Sequence, residues 1–107
     1  MSLNIIQIRR TRTELKENFH RSGLTPDAIQ ADLGFSAERL DQALRLRRGT
    51  TGPDIWLLRD YLEQAVTDAG AEPVPYTVLT EESRSKARQW FDLLPAPRHD
   101  FSGGSRE

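Results

Sequence analysis

Residues 24–46 read Leu24-Thr25-Pro26-Asp27-Ala28-Ile29-Gln30-Ala31-Asp32-Leu33-Gly34-Phe35-Ser36-Ala37-Glu38-Arg39-Leu40-Asp41-Gln42-Ala43-Leu44-Arg45-Leu46, two short helical segments on either side of a glycine. Thr25 offers a side-chain oxygen to cap the first, Pro26 has the fixed φ of a first helical position, and Asp27 complements the helix dipole. Gly34 ends that segment, because the left-handed residue that closes a helix is least strained without a Cβ. Ser36 caps a second segment running to about Leu46, with Leu40, Ala43 and Leu44 facing inward and Glu38, Arg39, Asp41, Gln42 and Arg45 facing out. Together Leu24, Ile29, Leu33, Phe35, Leu40 and Leu44 form the apolar set that a helix-turn-helix requires. Gln30 stands four residues before the glycine, where close helix approach favours alanine; Ala31 is the small residue that would take over that contact.

The flanking sequence predicts further helices. From Leu3 to Ser22, Ile5, Ile8, Leu15 and Phe19 share one face, with the aliphatic stem of Arg12 completing it. Asn4 caps this helix and Gly23 ends it. After Gly49-Thr50-Thr51-Gly52, a hinge, Pro53-Asp54 starts a fourth helix to about Ala69, stopped by Gly70, with Ile55, Leu58, Leu62, Ala65, Val66 and Ala69 as its buried stripe. Prolines 73 and 75 make residues 72–79 an extended strap over the bundle, anchored by Tyr76, Val78 and Leu79. Thr80 caps a weaker last helix from Glu81 to about Leu93 that carries Trp90 and Phe91. The expected architecture is all-α: a small helical bundle, residues 1–94, around a central helix-turn-helix, followed by a disordered tail over residues 95–107.

Composition narrows the function classes. At 107 residues, with 36% hydrophobic and 29% charged residues, the chain has the size and balance of one globular domain with a modest core. It has no cysteine, which excludes disulfides, thiolate nucleophiles and Cys-based zinc or iron-sulfur sites. No apolar run approaches the roughly 18 to 20 residues that span a bilayer, and the start lacks the pattern of an export signal, so a cytoplasmic protein is expected. The net charge of -1 conceals an uneven distribution, +3 over residues 1–50 and -4 over 51–107. A basic first half suits a phosphate-binding surface.

These features lead to a sequence-specific DNA-binding regulator with the third helix in the major groove, and against it a protein–protein interaction module that keeps the two-helix unit as a scaffold. In the first reading Ser36, Ala37, Glu38, Arg39 and Gln42 approach base edges, while Thr25, Arg45, Arg47 and Arg48 hold phosphates. Arg9, Arg10 and Arg12 are further backbone contacts. Glu38 and Asp41 work against it, because phosphates repel them unless arginines such as Arg39 and Arg45 neutralise them. Trp56, Tyr61 and Tyr76 are the candidate surface for a protein partner or for a homodimer, which a palindromic operator would need; for Trp56 and Tyr61, packing beneath the strap is the other reading. No effector ligand is specified.

No catalytic residue or cofactor is assigned, and no enzyme is expected. Glu17 and His20 have the Glu-x-x-His spacing of di-iron bundles, but the second motif and the further carboxylates are missing. His99 falls in the expected tail, with nothing to orient it. The glycines at 49 and 52 lack the lysine of a phosphate loop.

Several segments carry a resemblance to a known family. They are Met1-Ser2-Leu3-Asn4, Glu14-Leu15-Lys16-Glu17-Asn18-Phe19 leading to Ser22-Gly23-Leu24-Thr25, Ala31-Asp32-Leu33-Gly34, Trp56-Leu57-Leu58-Arg59-Asp60-Tyr61-Leu62 and Glu72-Pro73-Val74-Pro75-Tyr76. In order and spacing the chain resembles an uncharacterised family of short bacterial helix-turn-helix proteins, a domain of unknown function. The resemblance covers residues 1–79 and stops there. It implies a bacterial source and a helical domain similar to small repressors, with no ligand, operator or partner attached.

Overall fold

The computed structural model describes residues 3–101. Five helices succeed one another without a strand among the described residues: α1 (Ile5–Ser22), α2 (Pro26–Leu33), α3 (Ala37–Leu44), α4 (Gly52–Asp68) and α5 (Glu81–Ala87). Their starts are local events. The side chains of Asn4, Thr25, Ser36, Thr51 and Thr80 each accept a hydrogen bond from the backbone N–H three residues on. Gly23 and Gly34 end α1 and α2 in the left-handed conformation, both at φ 70°.

The end of α3 uses a leucine for the same purpose. Leu46, at φ 50°, is the one non-glycine residue with positive φ among the described residues. The Leu46 N–H donates to the Ala43 carbonyl at 3.3 Å and the Arg47 N–H to the Gln42 carbonyl at 2.8 Å, a Schellman closure. This is why α3 stops at Leu44 rather than near Leu46.

The centre of the core is α4, which is covered on nearly every side. Leu58, Tyr61, Leu62 and Val66 are fully buried, and so are Leu15 of α1, Ile29 of α2 and Ala43 of α3. Phe35, in the α2–α3 turn, and Leu40 join the same cluster, with Leu24, Leu33 and Leu44 packed at its edge. The apolar set expected for the two-helix unit is therefore the set that packs. Ala69, expected in the buried stripe of α4, is exposed past the helix end.

The inner face of α1 differs from expectation. Ile5 is 61% exposed and Ile8 half-buried, whereas Thr11, Glu14, Leu15, Asn18 and Ser22 are buried. The reason lies in the strap. Residues 72–79, expected to be extended throughout, bend at 77–79 and have no neighbouring strand, so several of their backbone polar groups take partners from α1 side chains. Asn18 exchanges two hydrogen bonds with the Val74 backbone, Glu14 accepts from the Thr77 N–H (3.1 Å) and hydroxyl (2.6 Å), and Arg21 donates to the Glu72 carbonyl (2.8 Å).

The C-terminal part departs further. The last helix ends at Ala87, well short of Leu93, because the chain tightens into turns: the N–H groups of Trp90 and Phe91 both donate to the Ala87 carbonyl at 2.9 Å. The Phe91 ring lies against Gly52, where an added Cβ would come within 2.6 Å of it, so this glycine leaves room for an aromatic ring as well as opening α4. Residues 95–101 are not a free tail. Ala96 packs on the core, Arg98 forms a two-pronged pair with Asp68 (2.6 and 3.1 Å), and His99 Nδ1 lies 2.7 Å from Asp32 of α2. The rest of the expected tail, residues 102–107, lies outside the described residues.

Candidate nucleic-acid interface

The outer face of α3 is open: Ala37, Glu38, Arg39 and Arg45 are exposed, and Asp41 and Gln42 half-buried. Thr25 and Ser36 are committed to capping, their hydroxyl oxygens accepting from the Ala28 and Arg39 N–H groups at 3.1 Å each. Both hydroxyls retain a proton to donate outward.

Arg39 is tied down. Its guanidinium forms two hydrogen bonds of 2.9 Å to Asp54 in the first turn of α4 and lies over the Phe35 ring, 4.1 Å from the centroid. Asp54 holds the guanidinium further toward its charged form than usual, through hydrogen bonding and charge. A side chain expected to reach toward DNA instead fastens α3 to α4.

The acidic residues of the face are answered unevenly. Asp41 is paired with Arg45 (3.0 Å) and Arg47 (3.3 Å). Glu38 receives only the Gln42 amide, at 3.5 Å, and no arginine. Gln42 in turn packs against Gly49, whose missing side chain leaves the space its amide occupies. Arg48 is exposed at the end of the same segment. Residues 37–48 hold four arginines against two acids, and counting the Asp54 that holds Arg39 makes it four against three, so the face keeps a net positive charge of one.

Trp56, Tyr61 and Tyr76 do not form a partner surface. They are 3%, 0% and 7% exposed. Trp56 lies between two arginines, Arg59 at 5.8 Å and Arg84 at 4.9 Å from its ring, and Arg59 also covers Tyr76 at 4.6 Å. The Tyr61 hydroxyl donates to Asp32 Oδ2 at 2.5 Å. The strap and α5 bury this second side of α4, which supplies the packing that the spacing of these aromatics left open.

A family model matches residues 1–92, described as an uncharacterized protein conserved in bacteria (DUF2316). The chain belongs to this family. The match continues through α5, beyond residue 79, where the sequence resemblance stopped. Neither the curated proteins nor the solved structures compared with it contain a match. Membership of the DUF2316 family brings a bacterial distribution and no activity. Among the described residues no helix is long and apolar enough to cross a membrane.

The half-buried aspartate–tyrosine–histidine cluster and the arginine that locks α3 were not foreseen. Asp32, Tyr61 and His99 meet from three separate parts of the chain, and Arg39 meets Asp54 across the turn into α4. No local spacing carries these contacts.

Proposed function

We propose that this member of the DUF2316 family is a cytosolic, non-enzymatic DNA-binding protein that places α3 in the major groove of a duplex. The observation that carries the reading is the open, net-positive outer face of α3, on which Asp41 is neutralised by Arg45 and Arg47. An acid already paired with arginines costs far less beside phosphates than a bare one. In this reading Ala37, Glu38 and Gln42 approach base edges. Glu38, without a cationic partner, suits the exocyclic amine of cytosine. Arg45, Arg47 and Arg48, with the exposed Arg9 and Arg10 of α1, meet the backbone, while Arg39 sets the position of α3.

The test is fluorescence anisotropy of the full chain with pooled random and genomic duplexes, starting at low salt and titrating upward, with sequencing of the retained fraction. The reading predicts an enriched site and a steep salt slope, and Arg48→Ala should lower that slope by about one phosphate contact. No binding at low salt removes the reading.

A second reading, a protein-interaction module, is favoured by different residues from those first expected. Ile5 and Ile6 at the start of α1 are 61% and 64% exposed, and Trp90 and Leu94 are 68% and 66% exposed. Apolar side chains of this size left open are where a partner or a second copy would dock. Sedimentation of Ile5→Asp against the parent chain separates an oligomer from a monomer.

A further inference from the structure

Arg12, Lys16 and His20 follow one another at steps of four along α1, exposed, with Phe19 half-buried beside them. Opposite stand Leu44 and Arg45 at the end of α3, and these six side chains line a cleft of about 250 Å3. Arg12 joins its two walls: its Nε–H donates to the Arg45 carbonyl at 2.8 Å. That bond leaves both terminal nitrogens of the guanidinium without an acceptor. Glu17 is turned to Arg21, and Asp41 is taken by Arg45 and Arg47. No carboxylate among the described residues therefore answers Lys16 or the Arg12 terminus. His20 stands edge-on to Phe19, 5.6 Å between centroids. A second hollow of about 230 Å3, between α2 and α3, shares Phe19, Leu44 and Arg45 and extends the apolar wall.

Cations at the mouth and an aromatic and an aliphatic side chain on the wall select for a molecule with both properties. A neutral ring would use the wall and leave the cations hydrated; an inorganic anion would use the cations alone. The volume lies below the roughly 300 to 1,000 Å3 of pockets for drug-sized ligands, which limits the ligand to one or two rings. We propose that the α1–α3 cleft binds a small aromatic carboxylate, its carboxylate held by Arg12 and Lys16 and its ring on Phe19 and Leu44. Arg offers parallel donors that match a carboxylate, and Lys adds a point charge. The proposal does not rest on DNA binding.

The experiment is a 1H–15N NMR titration of the full chain, without DNA, using benzoate and 1-naphthoate, with 1-naphthamide and inorganic phosphate as controls. Saturable shifts centred on Arg12, Lys16, Phe19, His20, Leu44 and Arg45 are expected with a carboxylate, at least tenfold weaker with 1-naphthamide. Lys16→Met, a change at an exposed position that leaves the core intact, should weaken the carboxylate at least tenfold, and Phe19→Ala should do the same while leaving any phosphate response unchanged. Equal affinity for 1-naphthamide, equal affinity for phosphate, shifts scattered over the surface, or no saturable response to either carboxylate would each overturn the proposal. A random duplex that shifts these six residues where the carboxylates do not would assign the cleft to nucleic-acid backbone, and would likewise overturn it.

Discussion

Asn18 and Val74, 56 residues apart, are joined by two hydrogen bonds: the Asn18 side-chain amide donates to the Val74 carbonyl at 3.0 Å, and the Val74 N–H donates to Asn18 Oδ1 at 2.7 Å. One amide side chain thus does for the strap what a neighbouring β-strand would do. Asn18 is fully buried and Val74 half-buried, so the Asn18 amide gives up its water for this exchange.

Asn18→Ala should therefore destabilise the protein by about 2–3 kcal/mol, since it strands both backbone groups of Val74. Asn18→Asp keeps the acceptor but sets a carboxylate against a carbonyl, and should lose a similar amount. Denaturant unfolding checks both. A shift in midpoint at unchanged slope is the expected result.

Arg59 fastens the other end of the strap from a 5% exposed position, donating to the Leu79 carbonyl (3.1 Å), Asp60 (3.0 Å) and Glu63 (2.9 Å). Arg59→Met fills much of the volume and supplies none of these donors. A loss of about 3 kcal/mol is expected, with faster amide exchange over residues 76–80 as the local signature.

Alkaline titration should show a single cooperative event. Burial, aided at Tyr61 by the bond to Asp32, pushes the phenol of Tyr61 well above its ordinary value, and burial does the same to Tyr76. With folded values raised, the stability from neutral phenols is complete below the unfolded value of about 10 and is lost as pH rises beyond it. These are the chain's two tyrosines, so absorbance at 295 nm should stay flat through pH 10 and rise only with unfolding. A gradual rise in the folded protein would contradict the burial of one ring.

The docking of residues 95–101 should fail in acid. Arg98, by hydrogen bond and charge, holds the Asp68 carboxyl below its usual range. A depressed folded value means the contribution is present above the unfolded value of about 3.9 and is lost as pH falls through the folded one. Amide exchange at residues 96–100 should quicken at that point while α4 stays protected. Asp68→Asn should show the quick exchange at neutral pH already.

Asp54→Asn should release Arg39 from the pair that fastens α3 to α4. The stability cost is expected to be about 1 kcal/mol, as the Arg39 side chain is half exposed. On the DNA reading, the freed charge should raise non-specific affinity and steepen its salt dependence, both readable by anisotropy. No change in affinity would place Arg39 outside the interface even when unpaired.

Helix beginnings were the most legible part of this chain, because a cap needs only an oxygen and an N–H three residues on. Asn4, Thr25, Ser36 and Thr80 all cap as local chemistry requires, and Thr51, read as part of a hinge, caps α4 in the same way. The core of the two-helix unit was legible for a related reason: Ile29, Phe35 and Leu40 are close in sequence, and apolar spacing alone brings them together. The face of α1 was misread at Ile5 because an apolar stripe does not reveal that its helix must serve a strandless strap. For Trp56 and Tyr61 the spacing leaves two readings, packing under the strap or a partner surface, and the fold takes the first. It also buries Tyr76 as the strap anchor, because Arg59 and Arg84 reach the Trp56 and Tyr76 rings only after the strap and α5 have folded back.

Propensity, capping and hydrophobic period act over a few residues, and from them follow the all-helical class, the five helix starts and the apolar centre of the α2–α3 unit. Arg39 on Asp54, Asn18 on Val74 and His99 on Asp32 span from 15 to 67 residues of chain. Such pairs exist because buried or half-buried polar groups must find partners once water is excluded, and packing determines which partner is in reach. The fold class is thus written in short-range chemistry, whereas the freedom of Arg39 on the α3 face is settled by the Asp54 that α4 places beside it.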